Sequence, residues 1–536
     1  MTNPYLALEG VSHVLPDGRA LRCTLDERFD QRHTGLVGRN GVGKTLLARI
    51  LAGQIQPSAG RCLRSGRVHY LAQQVASLEQ ATVAGLAGVQ ATLDALARIE
   101  AGSAAAEDFD AVGERWDLRQ RLRHELERNG LGHLHAATPA STLSGGEAMR
   151  VALIGAVLAE VDFLILDEPS NHLDRASRQA LIEQLRRWPK GLLVVSHDRR
   201  LLETLERIVE LSPLGLRSYG GGYSFYLQCK ARERQSAIQQ LEQRKLERKR
   251  EEQSLREQRE RQERRQARGK RHGQEANQAK ILLDRQKERS EGSTGKLRQQ
   301  QAGTRQRLAR QVREAARQVE EDAPISLQAQ PVTQAGQRGV VELEALVLPF
   351  VASAGPVDLA LNGQQRVAVV GPNGCGKSTL LKVLAGQLQP LAGRCDVAVR
   401  SAHLDQRLAN LAPCRSVLEQ LRAANTRAGE DVLRMRLAQL GLDAQKISIS
   451  SGSLSGGERL KAALACVLYA DPPARLLLLD EPDNHLDLPS LQALEAMLRS
   501  YQGALLVVSH DDAFMDNLGL TDRLLATAQG WRMEPW

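Results

Sequence analysis

The octapeptide Gly38-Arg39-Asn40-Gly41-Val42-Gly43-Lys44-Thr45 follows an apolar run, HTGLV, and opens the helical stretch LLARILAG. Nothing else in the chain restricts its fold as tightly. The glycines let the backbone curl until successive N–H groups face one centre, which requires a strand to end and a helix to begin on either side. Such a concavity suits phosphate oxygens. Lys44 is placed to reach the terminal phosphates, and the Thr45 hydroxyl can meet Mg2+. The same pattern returns after RVAVV as Gly371-Pro372-Asn373-Gly374-Cys375-Gly376-Lys377-Ser378. Two strand–loop–helix units in one chain predict an α/β protein built as a tandem repeat.

Further motifs recur in the same order. Val68-His69-Tyr70-Leu71-Ala72-Gln73 reads as a short strand ending in a glutamine, and Gln406 ends HLDQ in the second copy. Leu143-Ser144-Gly145-Gly146-Glu147 precedes the helical MRVALIGAVLAE, so Ser144 caps a helix whose first N–H groups can take an anion. Leu454-Ser455-Gly456-Gly457-Glu458 repeats it. The apolar runs FLILDE and LLLDE each end in two carboxylates, Asp167-Glu168 and Asp480-Glu481, as expected of a buried parallel strand whose carboxyl end opens onto a site. The aspartate at such an edge can hold Mg2+ through water, and the glutamate can orient or deprotonate an attacking water. A last apolar strand ends in Ser196-His197-Asp198, repeated at His510, and the place of these histidines in the series points to γ-phosphate contact.

The copies differ in length. Lys44 and Ser144 are 100 residues apart, Lys377 and Ser455 only 78, and the excess falls where TVAGLAGVQATLDALARIE and WDLRQRLRHELERNGLG predict two helices, about 82–130.

Between the copies lies a segment of different character. Residues 230–320 hold 27 Lys or Arg against 14 Asp or Glu and no Phe, Tyr or Trp, so they carry +13 while the whole chain carries +9. A stretch with so little to bury is not a globular core. Residues 226–268 contain neither Gly nor Pro, whereas glycines at 269, 273, 292 and 295 predict a turn region with a short helix around ILLDRQKER. A return limb carries Leu308, Val312, Ala315 and Val319 at helical spacing, opposite Ile238 and Leu241. These features predict an antiparallel hairpin zipped at its foot with a basic tip, suited to nucleic acid or an anionic membrane surface, or else a charged coiled coil that is merely solvated.

Seven scattered cysteines with no CxxC pair fit reduced thiols, and no window approaches the roughly 18 consecutive apolar residues of a membrane span. With no signal-like start in MTNPYLALEG, a cytoplasmic location is expected.

Five motifs in this order, twice over, resemble the ATP-binding cassette superfamily, and the forms DEPSNHLD (167–174) and DEPDNHLD (480–487) resemble its ABC-F class. The resemblance implies two cassettes, 1–225 and 336–536, joined by a charged helical hairpin at 226–335. It implies ATP and Mg2+ as ligands, with Gln73 and Gln406 joining Thr45, Asp167, Ser378 and Asp480 around the metal. Head-to-tail packing is implied as well, pairing Lys44, Thr45, Gln73, Asp167, Glu168 and His197 with Ser455, Gly456 and Gly457. The mirror set, Lys377, Ser378, Gln406, Asp480, Glu481 and His510, pairs with Ser144, Gly145 and Gly146. An aromatic that stacks on adenine is missing from Ser12-His13-Val14-Leu15-Pro16, while Phe350 can serve in the second copy.

The class further implies a monomeric translation factor, its cassettes closing on ATP near the tRNA exit site of the ribosome and the linker meeting rRNA and tRNA. Competing readings are a tandem ATPase subunit of a membrane importer, against which the inter-domain hairpin speaks, and a DNA-repair ATPase, which zinc-binding cysteines and longer coiled coils would mark.

Overall fold

Strands that are buried on both faces must be apolar throughout, and that requirement fixes the centre of each repeat. Phe163–Asp167 and Gly191–Val195 are buried at every residue, as are Leu476–Asp480 and Ala504–Val508. The computed structural model describes residues 4–14, 24–72, 81–171, 173–275, 299, 302–316, 339–351, 355–405, 408, 411–484, 486–527 and 530–536. Its described residues fall into two units, one from 1–225 with 325–536 and the other from 226–324.

In the first cassette a six-stranded sheet runs in the order Val68–Leu71, Phe163–Asp167, Gly191–Val195, Thr34–Gly38, Arg207–Ser212, Gly215–Gly220. Its first five strands are parallel and the last antiparallel. Beside it stands an antiparallel sheet of Leu25–Phe29, Leu6–Ser12 and Ala59–Arg64. The second cassette repeats both sheets. Its large sheet runs Ser401–Leu404, Leu476–Asp480, Ala504–Val508, Arg366–Val370, Asp522–Thr527, Gly530–Pro535. In each, the strand feeding the glycine-rich loop lies inside the sheet, between two parallel neighbours, so the loop emerges from the carboxyl edge where open α/β sheets bind ligands.

The insertion holds more helices than the two expected. Val83–Leu86, Gln90–Glu100, Ala106–Val112 and Leu118–Arg128 are all helical. The first predicted stretch breaks because Gly88 adopts φ 66°, and the unforeseen helix Ala106–Val112 is held by Asp108, which accepts from Arg98 and from the Ser103 hydroxyl at 2.6 Å. In both copies a bridge closes the base of this region. Thr82 and Pro139 are 57 residues apart and Ser416 and Ser450 are 34 apart, so the whole of the length difference lies between them.

In the second unit the sequence reading needs correction. The helix Tyr223–Glu275 is 53 residues long, about 80 Å at 1.5 Å per residue, and it runs through Gly269 and Gly273. Two glycines cost about 1 kcal/mol each in a helix, too little to break one with a ladder of ion pairs such as Arg244–Glu247 and Arg248–Glu252 along it. Burial also differs from expectation: Ile238 is 36% exposed and Leu255 only 7%, so the arm's apolar contact lies farther along than its foot. Residues 302–316 are helical with Leu308, Val312 and Ala315 half-buried, whereas Val319, ILLDRQKER, Gly292 and Gly295 lie outside the described residues. No helix among the described residues is long and apolar enough to cross a membrane.

Leu478 sits fully buried in the middle of a core strand. Its replacement by Ala should cost the second cassette about 3 kcal/mol, read as a lower thermal unfolding midpoint with the helix content of the native protein unchanged.

Candidate active site

Gly43 and Gly376 cap the helices Lys44–Ala52 and Lys377–Leu384 at φ 107° and 101°, a region that a side chain would oppose. The caps direct the next residue, a lysine, into its own loop. The Lys44 Nζ donates to the carbonyls of Gly38 at 2.8 Å and Arg39 at 3.2 Å; the Lys377 Nζ donates to those of Gly371 at 2.8 Å and Pro372 at 2.9 Å. Both side chains are buried, and burial holds the Lys44 ammonium below its usual range against the pull of Glu168, Asp487 and Asp167.

At the end of each acidic strand the backbone turns sharply. Glu168 and Glu481 both sit at φ 50°, the left-handed region that a non-glycine residue adopts only where its surroundings enforce it. The enforcement is visible: each glutamate N–H donates at 2.8 Å to the last residue of the neighbouring strand, Val195 or Val508. This turn brings each carboxylate to a histidine, with Glu168 to His197 and Glu481 to His510 both 3.6 Å apart. Asn484 Nδ2 donates to Glu481 Oε2 at 2.5 Å. Burial, reinforced by Asp167 and opposed by Lys44, pushes the Glu168 carboxyl up to about 8, and burial with a nearby lysine presses His197 down to about 3 and His510 to about 4. Both imidazoles are therefore neutral at physiological pH. With its carboxyl raised to about 8, Glu168 acts as a base only in its ionised fraction, and an ionised carboxylate next to a neutral imidazole can take a proton from a water placed between them.

One cavity of about 590 Å³ collects most of the first set. Asn40, Gly41, Gly43, Lys44, Thr45, Asp167, Glu168 and His197 line it, and so do Ser455, Gly456 and Gly457 from the other cassette. The second-cassette serine opens its helix with a reciprocal cap: Ser455 Oγ accepts from Glu458 N–H while the Glu458 carboxylate accepts from Ser455 N–H at 3.0 Å. Ser144 and Glu147 form the same cap, with Gly145 and Gly146 opening the helix. Ser144 is exposed and Ser455 half-buried. At the second loop, which carries Gly371, Asn373, Gly374, Gly376 and Ser378, the charge of Asp174 reaches Lys377 and His510 from the opposite cassette. Its counterpart Asp487 accepts from the Asn40 N–H at 2.9 Å. Gln73 and Gln406 lie outside the described residues.

The donor set fits a magnesium nucleotide. Among the described residues Asp167 Oδ1 and Asp480 Oδ1 are buried without a hydrogen-bond partner, an acceptor chemistry that a hard cation's waters satisfy, and Thr45 and Ser378 supply the hydroxyls. Burial pushes the Asp480 carboxyl up to about 6, with the Ser378 hydroxyl acting the other way. Two contributors were not singled out from the sequence. The Tyr70 hydroxyl donates to Asp167 Oδ2 at 3.1 Å, and Arg178, 9% exposed, lines the cavity within 3.4 Å of Asp198. The sequence reads Tyr70 as a strand residue, and it takes the parallel register that sets it beside Ile165 to bring its hydroxyl to the carboxylate two residues on.

A family model described as ABC transporter matches residues 29–171 and 354–484. The chain is 32% identical over 535 residues to the tylosin resistance ATP-binding protein TlrC of Streptomyces fradiae, covering 94% of both chains. It is 31% identical to the energy-dependent translational throttle protein EttA of Mycobacterium tuberculosis, over 90% of this chain and 84% of that one. Among solved structures, archaeal ribosome recycling factor aABCE1, in complex with ribosomal stalk protein aP1, gives a TM-score of 0.59 at 19% identity and covers 98% of this chain and 89% of that one. The likeness to it shows the tandem fold, while the sequence relatives, the doubled motif series and the cassette geometry show that this chain is an ATPase belonging to the ABC-F class of the ATP-binding cassette superfamily.

Proposed function

We propose that the protein is a cytoplasmic translation factor that binds the ribosome near the tRNA exit site and modulates translation through its linker, using cassette closure on ATP and Mg2+. The observation that carries the ATP-driven part is the cavity in which the loop around Lys44 meets Ser455, Gly456 and Gly457 of the other cassette. A γ-phosphate held there bridges the two halves of a single chain, so binding and closure are one event. Lys44 and Lys377 hold terminal phosphates, Thr45, Ser378, Asp167 and Asp480 hold the metal with Gln73 and Gln406, and His197 and His510 meet the γ-phosphate. Glu168 and Glu481 act as bases for the attacking water. Phe350, 89% exposed, is free to stack on adenine at the second site.

The ribosomal part rests on the relatives' names and on charge. The arm that carries +13 has no aromatic residue, so it suits backbone phosphates and shape over splayed bases. It divides the chain at 226–335 into cassette, linker and cassette. Binding to purified ribosomes with and without ATP tests the proposal, and nucleotide-independent absence of binding would discard it.

Replacing both Glu168 and Glu481 by Gln should leave ATP binding intact and lower turnover by about a hundredfold or more. Turnover near that of the parent protein would rule out both carboxylates as bases. In the single variant Glu481→Gln, hydrolysis depends on Glu168. Because its carboxyl is raised to about 8 and a base must be ionised, turnover should climb from pH 6.5 to 8.5 and not plateau at pH 5.5.

Arg264, Arg265, Arg268, Lys270 and Arg271 lie in the long helix of the arm. Their replacement by Gln should weaken ribosome binding and flatten its dependence on salt by roughly one counterion per lost phosphate contact, with ribosome-free ATPase unchanged. An unchanged slope would mean that this run faces only solvent.

A further inference from the structure

From Asp167 to Thr204 the first cassette aligns without a gap on Asp480 to Asn517 of the second, so every interface position has a partner by repeat. The charges at those positions are not repeated. Arg199 Nη1 pairs with Glu495 Oε1 at 2.7 Å, both side chains buried, and Asn517 Nδ2 donates to the other glutamate oxygen at 3.2 Å. Arg175 pairs with Asp512 at 3.1 Å, and Arg200 with the same carboxylate. In each of these three pairs the arginine comes from the first cassette and the carboxylate from the second.

The repeat positions show what the alternatives would bring together. Arg199 corresponds to Asp512, Glu495 to Ile182, Arg175 to Leu488 and Arg200 to Ala513. If two copies of the first cassette met in this geometry, Arg199 of one would face Ile182 and lie against Arg175 and Arg200 of the other. The buried Arg199 guanidinium would then lose its carboxylate and meet two more guanidiniums, those of the exposed Arg175 and Arg200. Two copies of the second would set Asp512 against Glu495. Each self-pairing strips a buried ion, Arg199 or Glu495, of its partner and sets like charge beside it, which is costly in a protein interior, whereas the mixed pairing gives each ion an opposite charge.

We propose that this one-sided distribution is a pairing code: the first cassette presents arginines, the second presents carboxylates, and each can close only on a cassette of the other kind. The code rests on the head-to-tail closure described above and not on the ribosomal reading, so ATP turnover without ribosomes tests it separately. It accounts for closure within one chain, since the complementary cassette is tethered and a neighbouring chain's identical cassette is repelled.

The test uses full-length protein. Glu495→Arg sets two basic side chains against each other at the buried pair, and Arg199→Glu sets two acidic ones there. Each alone should lower ribosome-free turnover by about a hundredfold. The double swap Arg199→Glu with Glu495→Arg should recover to within about tenfold of the parent, which a simple folding defect would not do. Mixing the two single variants should restore turnover that rises with concentration, together with a species of twice the chain mass by light scattering, because position 199 of each chain then meets the opposite charge at position 495 of the other. A double swap no better than the singles, or a mixture no more active than the sum of its parts, would overturn the code.

Discussion

Two lysine ammoniums buried at the carboxyl edges of two sheets are the constraint around which this molecule is arranged. Lys44 and Lys377 each have only backbone carbonyls as hydrogen-bond partners within their own loops. A buried cation is tolerable when opposite charge is close, and the acidic strand end supplies it through Asp167 and Glu168, joined by the helix-capping Asp487 of the opposite cassette, all acting on Lys44. The sheet order places those groups together: the loop strand and the acidic strand are separated by one strand, Gly191–Val195, whose own end carries His197. An ATP-dependent machine follows from concentrating ionisable groups where a polyanion with its metal completes the charge balance.

The backbone serves the same end. A left-handed turn at Glu168 and Glu481 is unfavourable by itself, but a hydrogen bond to the adjacent strand holds it, and the result is a carboxylate aimed at a histidine in both copies. Since the strand core supplies far more stabilisation than the turn consumes, the strain can persist at the one place where geometry has to be fixed.

Much of this was legible in the sequence because the decisive signals were local. A glycine-rich loop between an apolar run and a helix, or four apolar residues ahead of two carboxylates, fixes its element within a few residues. Missed features depend on what lies across space. Tyr70 reaches Asp167 through sheet register, and its counterpart by register, His403, is a different residue, so repetition could not flag it. Gly269 and Gly273 look like turn residues until their modest helix cost is set against a 53-residue helix. The helix Ala106–Val112 depends on Arg98 and Ser103 holding Asp108, which no periodicity announces.

Internal duplication makes two sites, yet the surroundings of the two have diverged. The first site's loop is fastened across the cassette boundary by the Asn40 N–H to Asp487, its signature serine Ser455 is half-buried, and a tyrosine braces its aspartate. Around the second, Ser144 is exposed and Asp480 is raised to about 6 beside Ser378. A symmetric pair of sites would need a symmetric interface, and three ion pairs that cross it run in one direction, each with its arginine on the first cassette and its carboxylate on the second. Once the two faces carry opposite charge, residues next to them are no longer under the same electrostatic constraint, and the sites that border them are free to differ even while their phosphate-binding loops stay alike.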